Sequence, residues 1–197
     1  FMDMFYDGNA NRNEGNTEAL WVFPFELETI GGSGSNMRRW HGSRYQNITV
    51  EGVRPLEITV ERGGRAQARM SLTKFALDLY EPQDDRFSQH AIRKYFILKD
   101  ADENDTGVAD ELPEGYNYGD TIWLDWSEDI SADNKSRHDW PFSRKWEWAY
   151  ADNVTEGLQF NDQIYLRLAE TYLIKAEAQL KLGDADGAAE TINVLRR

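Results

Sequence analysis

The segment from Tyr165 to Arg197, YLRLAETYLIKAEAQLKLGDADGAAETINVLRR, constrains the fold more than any other part of the chain. Within it Tyr165, Leu168, Ala169, Tyr172, Leu173, Ala176 and Leu180 recur at three- and four-residue steps. That spacing is one apolar stripe along a helix. Gly183 ends the stripe, because glycine accepts the left-handed conformation at a helix C-terminus. Asp184 is then placed to cap a second helix by accepting a backbone N–H. Ala188, Ala189, Ile192 and Leu195 continue the apolar face, and Ala176 and Ala178 leave room for a close neighbour. The pattern predicts two antiparallel helices over residues 163–182 and 185–197.

Tyr172, Ala176, Gly183, Asp184 and Ala188 fall on the large, small, turn and small positions of a tetratricopeptide-type hairpin. One such hairpin cannot bury both of its apolar surfaces. Little else in the chain is strongly helical, so the hairpin is expected to lean on helices supplied from elsewhere. The chain also starts abruptly at FMDMFYDG and stops at Arg197 inside the second helix. It therefore reads as a segment of a larger protein cut at both ends, a complete 197-residue protein being the alternative. Two regions are expected: residues 1–162, loop-rich with short strands and one helix, and residues 163–197, the helical hairpin. The expected class is mainly α, with long loops and a few short strands.

Composition removes several functions. Hydrophobic residues make up 40% and aromatics 13%, enough for a packed core and too many for a disordered chain. The formal net charge of -13 argues against nucleic-acid binding, which needs a basic surface to displace counterions. It also argues against docking of the folded surface on anionic lipid. No cysteine is present, so neither a disulfide framework nor a thiolate metal site can form. No apolar run approaches the roughly 20 residues of a membrane helix.

Residues 19–28, ALWVFPFELE, alternate as a strand, with Pro24 pointing to an edge position. Residues 31–47, GGSGSNMRRWHGSRYQN, read as a long loop holding a knot of aromatic and basic residues. Short strands are expected within 48–60. A helix is predicted over 71–80 with Ser71 as N-cap and Leu72, Phe75, Ala76 and Leu79 on one face. Further strands are predicted at 93–98, 121–125 and 142–150. The acidic stretch after Lys99 reads as a solvated loop. Long loops between few elements often carry binding function.

Four passages, in this order, resemble the SusD/RagB family. NTEALWVFPFE is similar to the family's strand with a Leu-Trp pair. RMSLTKFALDLYEPQDDRF is similar to its helix ending in Leu-Tyr, an acidic cluster and Arg-Phe. RKYFILKD is similar to the strand that follows. The most specific passage is the C-terminal one, where Arg-Leu-Ala-Glu leads through a Gly-Asp turn into Ile-Asn-x-Leu-Arg. The resemblance covers nearly the whole chain and places it in the C-terminal half of a larger SusD-like α fold. It implies a binding protein, not an enzyme, that captures oligosaccharides or peptides. It further implies delivery to a SusC-like TonB-dependent transporter. The site would be the extracellular face of the outer membrane of a Bacteroidetes cell, with anchoring through a lipid on the missing N-terminal half. That half would be a partner of this segment. No cofactor and no nucleic acid are implied.

Sugar recognition uses aromatic faces against C–H surfaces, with charged and amide groups on the hydroxyls, and aromatic rings provide this contact at small entropic cost. The knot in the 31–47 loop holds those ingredients. Trp40 is the expected stacking face, Tyr45 a second one, and His41 and Arg44 the hydrogen-bond donors. Trp123 and Trp126 are read as packing against helices, and Trp146 and Trp148 as sharing one strand face. Trp140, before Pro141, is a weaker binding candidate. Asp100, Asp102, Asn104 and Glu111 match positions one, three, five and twelve of a calcium loop, but Asp105 stands where the sharp turn requires glycine. The match is read as accidental. His41, His90 and His138 have no metal-ligand spacing, and nothing singles out a catalytic carboxylate pair. A helical-repeat scaffold for another protein, without glycan binding, is the alternative function. A glycan-processing enzyme is a third.

Overall fold

A computed structural model of the chain describes residues 2–6, 8–99, 112–129 and 138–196. These divide into two compact units. One comprises Met2 and the described residues of Leu27–Phe160, the other those of Asp3–Glu26 and Asn161–Arg197. Regular structure is mainly helical, with short strands and a C-terminal helix pair. The candidate calcium positions 100–111 lie outside the described residues.

In the second unit, β1 (Ala19–Phe23) pairs antiparallel with β6 (Gln163–Arg167), and α3 (Leu168–Lys181) and α4 (Ala185–Val194) follow directly. The C-terminal pair therefore forms as expected, but its first helix starts at Leu168. Residues 163–167 are strand, because Ile164 and Leu166 pair across to Val22 and Trp21. Strand preference follows such cross-strand partners more than intrinsic propensity, and the helical stripe through Tyr165 hides them. Gly183 takes φ +83°, and Asp184 accepts the Gly187 N–H at 2.9 Å. The helix pair closes on buried Ala176, Ala188 and Thr191, the last joined to Gln179 by a 2.7 Å hydrogen bond.

The first unit is held by two apolar clusters. Tyr45, Ile48, Leu56, Phe96, Leu98, Ile122, Leu124 and Phe142 form the larger; Leu77, Ile92 and Trp140 form the smaller. The strand expected over 93–98 divides at Lys94. Ahead of it β2 (Ile92–Arg93) pairs with β5 (Phe142–Ser143); beyond it β3 (Tyr95–Ile97) pairs with β4 (Thr121–Trp123). β5 stops early because Ser143 Oγ accepts the Lys145 N–H and starts a 3-10 turn over Arg144–Trp146. Residues 147–150 are not strand, so Trp146 and Trp148 do not share a strand face. The expected 31–47 loop contains a helical turn, α1 (Met37–His41), and a 3-10 turn at Tyr45–Asn47. Within 48–60 only a bridge between Val50 and Val53 forms. The helix expected over 71–80 is α2 (Lys74–Asp78), capped by Thr73 and not Ser71: Thr73 Oγ1 accepts the Ala76 N–H at 3.1 Å.

Candidate functional site

The residues of the predicted loop are dispersed by the fold. Tyr45 is 1% exposed and belongs to the core: its ring lies 4.8 Å from Phe96, and its hydroxyl donates to the Gly64 carbonyl at 2.8 Å. Burial raises its pKa and keeps the phenol neutral. A ring enclosed in this way offers no face to a ligand, so Tyr45 is removed from the expected set. Trp40, on α1, is 36% exposed, and its carbonyl accepts the N–H groups of Arg69 and Met70 at 2.8 and 2.9 Å. His41 stacks on Trp146 with centroids 5.6 Å apart, and partial burial lowers its pKa. Arg44 is exposed. Trp40 and Arg44 therefore reach solvent, while His41 is half occupied by packing. Their neighbour Arg38 is buried and structural; its guanidinium donates to the carbonyls of Arg65 and Glu156. Trp140 is likewise core, its indole N–H held by the Leu72 carbonyl at 2.7 Å.

A different place in the same unit has the shape of a site. A cleft of about 170 Å³ opens beside β3. Among the described residues it is lined by Arg62, Arg93, Arg144 and Lys99 together with Glu61, and by Tyr95, Phe96 and Ile97. The antiparallel register sets Trp123 directly opposite Tyr95, with ring centroids 4.9 Å apart. Trp123 is 62% exposed; it is a surface aromatic and not the packing residue its sequence position implied. Trp126 does pack, edge-on to Phe87.

The floor is rigid. Glu147 bonds both Arg93 and Arg144, at 2.7 Å to Arg144 Nε, and all three side chains are largely buried. Burial works against the Arg93 charge, but the hydrogen bond and charge of Glu147 hold its pKa above the ordinary guanidinium value. Arg62 donates to the carbonyls of Glu57 and Ile97 at 3.1 Å each. Gln89 is fully engaged locally, donating to the Tyr95 carbonyl and accepting the Lys94 N–H. Lys99 pairs with Glu61, and this pair is open to solvent. A second cavity, next to Tyr45, is about 10 Å³ and holds at most one water.

The cleft was legible in part. In RKYFILK the two-residue period places Arg93, Tyr95, Ile97 and Lys99 on one side, and these four line it. Arg62 and Arg144 arrive from distant segments and leave no local signal. Aromatic rings beside fixed donors are the equipment of a small-molecule binding site. Among the described residues no group of His, Asp and Glu is arranged to hold a metal ion.

Comparison with known families decides the kinship: the model of the SusD family matches residues 4–197. The chain belongs to the SusD family. Curated proteins and solved structures yielded no match. The cleft of this SusD-family chain lies between β3, the Arg62 turn and the Arg144 turn. Among the described residues no helix of this SusD-family chain is long and apolar enough to cross a membrane.

Proposed function

We propose that this SusD-family chain is the ligand-capturing part of a surface binding protein. It takes up oligosaccharides, with peptides the alternative ligand, and passes them to a TonB-dependent outer-membrane transporter. The observation that carries the reading is the family match across residues 4–197; the family's members bind nutrients at the surface and are not enzymes. Recognition falls to the first unit, where the Tyr95–Trp123 pair presents an aromatic surface beside fixed cationic donors. Trp40 and Arg44 form a second exposed candidate surface. Attachment to the cell surface is through a lipid on the N-terminal side of the full protein, and the remaining half of the fold supplies further ligand contacts.

The test is calorimetric titration of the protein with a panel of oligosaccharides and short peptides. Trp123→Ala removes an exposed anchor, so affinity should fall by about thirtyfold, the equivalent of ~2 kcal/mol, with melting temperature nearly unchanged. Trp40→Ala, measured beside it, reports whether the second surface contributes. Absence of binding to every saccharide and peptide in the panel would refute the reading.

A further inference from the structure

We infer that the outer edge of β4 is a docking site for an extended strand of another polypeptide, one with a basic residue at each end. The inference does not depend on the saccharide reading. Hydrogen-bond register is the first reason. β3 and β4 form a two-stranded antiparallel sheet in which Tyr95 faces Trp123, Phe96 faces Ile122 and Ile97 faces Thr121. Just beyond these pairs the Leu124 N–H donates to the Lys94 carbonyl and the Leu98 N–H to the Asp120 carbonyl, at 2.9 Å each. In an antiparallel pair, residues that exchange hydrogen bonds alternate with residues that do not. Lys94, Phe96 and Leu98 therefore direct their backbone groups to β4, and Thr121 and Trp123 direct theirs away from β3. Among the described residues those outward N–H and C=O groups have no hydrogen-bond partner. A row of unpaired groups of this kind is a template for one more strand.

The second reason is that the fold treats the two outer edges of this sheet differently. On β3 the Tyr95 carbonyl accepts an N–H of Gln89 at 3.0 Å, and the Ile97 carbonyl accepts an N–H of Arg62 at 3.1 Å. The protein's own side chains thus occupy that edge. On β4 the position just past the strand is taken, where the Asp125 N–H donates to the Asp139 carbonyl at 2.6 Å. That bond agrees with the outward direction of the Thr121 and Trp123 groups and shows that the edge receives a passing backbone. The side chains alternate to suit a guest strand: Ile122 is buried in the core, and Trp123 is exposed. A β-branched or aromatic guest residue opposite Trp123 would pack beside its ring, and cross-strand pairs of this kind stabilise a sheet.

Charge is the third reason, and it sets the ends of the guest. The stretch 112–129 carries Glu114, Asp120, Asp125, Glu128 and Asp129, with no lysine or arginine. Asp120 and Asp125 bracket β4. Asp120 accepts the Asn117 N–H at 2.7 Å, and Asp125 accepts the Ser127 N–H at 2.9 Å. Neither has a cation partner among the described residues. The Ser127 contact also lowers the Asp125 pKa, which keeps that carboxylate ionised. A lysine at either end of the guest meets one of these carboxylates, whereas an acidic end is repelled. Such complementarity selects among partners more than it adds raw affinity.

The experiment titrates the full chain with the end-capped peptide KVTVTVK by calorimetry. The same peptide N-methylated at every residue between the lysines keeps its side chains but has no central donors, and it should bind at least about tenfold more weakly. EVTVTVE should bind severalfold more weakly than KVTVTVK, and the difference should shrink as salt rises from about 50 to about 500 mM. Amide hydrogen exchange followed by NMR locates the contact. Thr121 and Trp123 should exchange rapidly in the free protein, beside a protected Ile122, and should slow when KVTVTVK is added. Protection of Thr121 and Trp123 without peptide overturns the inference, because the edge is then already covered. Absence of KVTVTVK binding, equal binding of the N-methylated peptide, or binding that leaves those two amides exchanging overturns it as well. Equal binding of EVTVTVE overturns the requirement for basic ends.

Discussion

At the residue scale, Glu147 shows how this protein handles charge. Its carboxylate is shared by Arg93 and Arg144 inside the first unit, and the Arg93 guanidinium lies 5.0 Å above the Phe96 ring of the main core. Breaking a buried pair by deleting one partner leaves charge without compensation and costs about 3–5 kcal/mol. Glu147→Ala strands two guanidiniums, so denaturant unfolding followed by tryptophan fluorescence should show a loss at or above that range. A loss under about 1 kcal/mol would mean that solvent reaches the triad freely. Gly64 illustrates a backbone constraint beside the same network. It takes φ +69°, and a Cβ there would stand 2.8 Å from Arg38 Nη1 and 3.0 Å from the Val154 carbonyl. Both the left-handed backbone and the space demand glycine. The sequence knot at residues 38–45 looked like one functional cluster because its residue types suit sugars. Tertiary packing assigned Arg38 and Tyr45 to the interior and left Trp40 and Arg44 outside, a division that no local periodicity encodes.

At the element scale, the helical pair was the most legible part of the chain. Its stop signal and its cap act locally: Gly183 in the left-handed region, and Asp184 on the Gly187 N–H. A Cβ at Gly183 meets no atom within 4 Å, so Gly183→Ala tests backbone conformation alone. It should destabilise the helix pair by ~1–2 kcal/mol, the cost of placing an L-residue in that region. Thermal unfolding followed at 222 nm would report it, and an unchanged midpoint would show that the turn relaxes without cost. The strands were less legible. Period-two alternation in RKYFILK is present, but the exchange of partners at Lys94, from β5 to β4, depends on segments about 30 and 50 residues away. The expected strand over 142–150 failed for a local reason: the Ser143 hydroxyl offers the backbone a turn that competes with the ladder. Residues 163–167 failed for a distant one, since their partner lies in Ala19–Phe23.

At the scale of the whole molecule, stability should respond to acid through its histidines. Burial lowers the pKa of His41, which stacks on Trp146. Burial lowers that of His138 as well, with Arg44 adding to the effect; its Nδ1 finds no partner among the described residues. A histidine whose folded pKa lies below its unfolded value contributes fully above the unfolded pKa, 6.5. That contribution is lost as pH falls through the folded value, because the unfolded state then binds more protons. Denaturant midpoints should therefore drop from about pH 7 to about pH 5, and His41→Gln should flatten the drop. An identical slope in the variant would place the linkage elsewhere.

The sequence by itself determined what depends on neighbours within a turn or two. The apolar stripe, the Gly183 stop and the Asp184 cap specify the helix pair, because helix hydrogen bonds, capping and turn preference act over three or four residues. The same local order carried the passages that resemble the SusD family, and composition excluded thiolate chemistry and disfavoured nucleic acid as a ligand. Only the tertiary structure decided what depends on distant partners. It joined Ala19–Phe23 to Gln163–Arg167 and ended the expected helix early. It also enclosed Tyr45 and Trp140, which read as candidate ligand faces, and turned Trp123 outward. Arg62, Arg93 and Arg144 meet around one cleft because a β-strand and two turns from separate stretches converge there. Charge and aromatic content can be counted along a chain, but whether a given ring or cation faces solvent is set by what the fold packs against it.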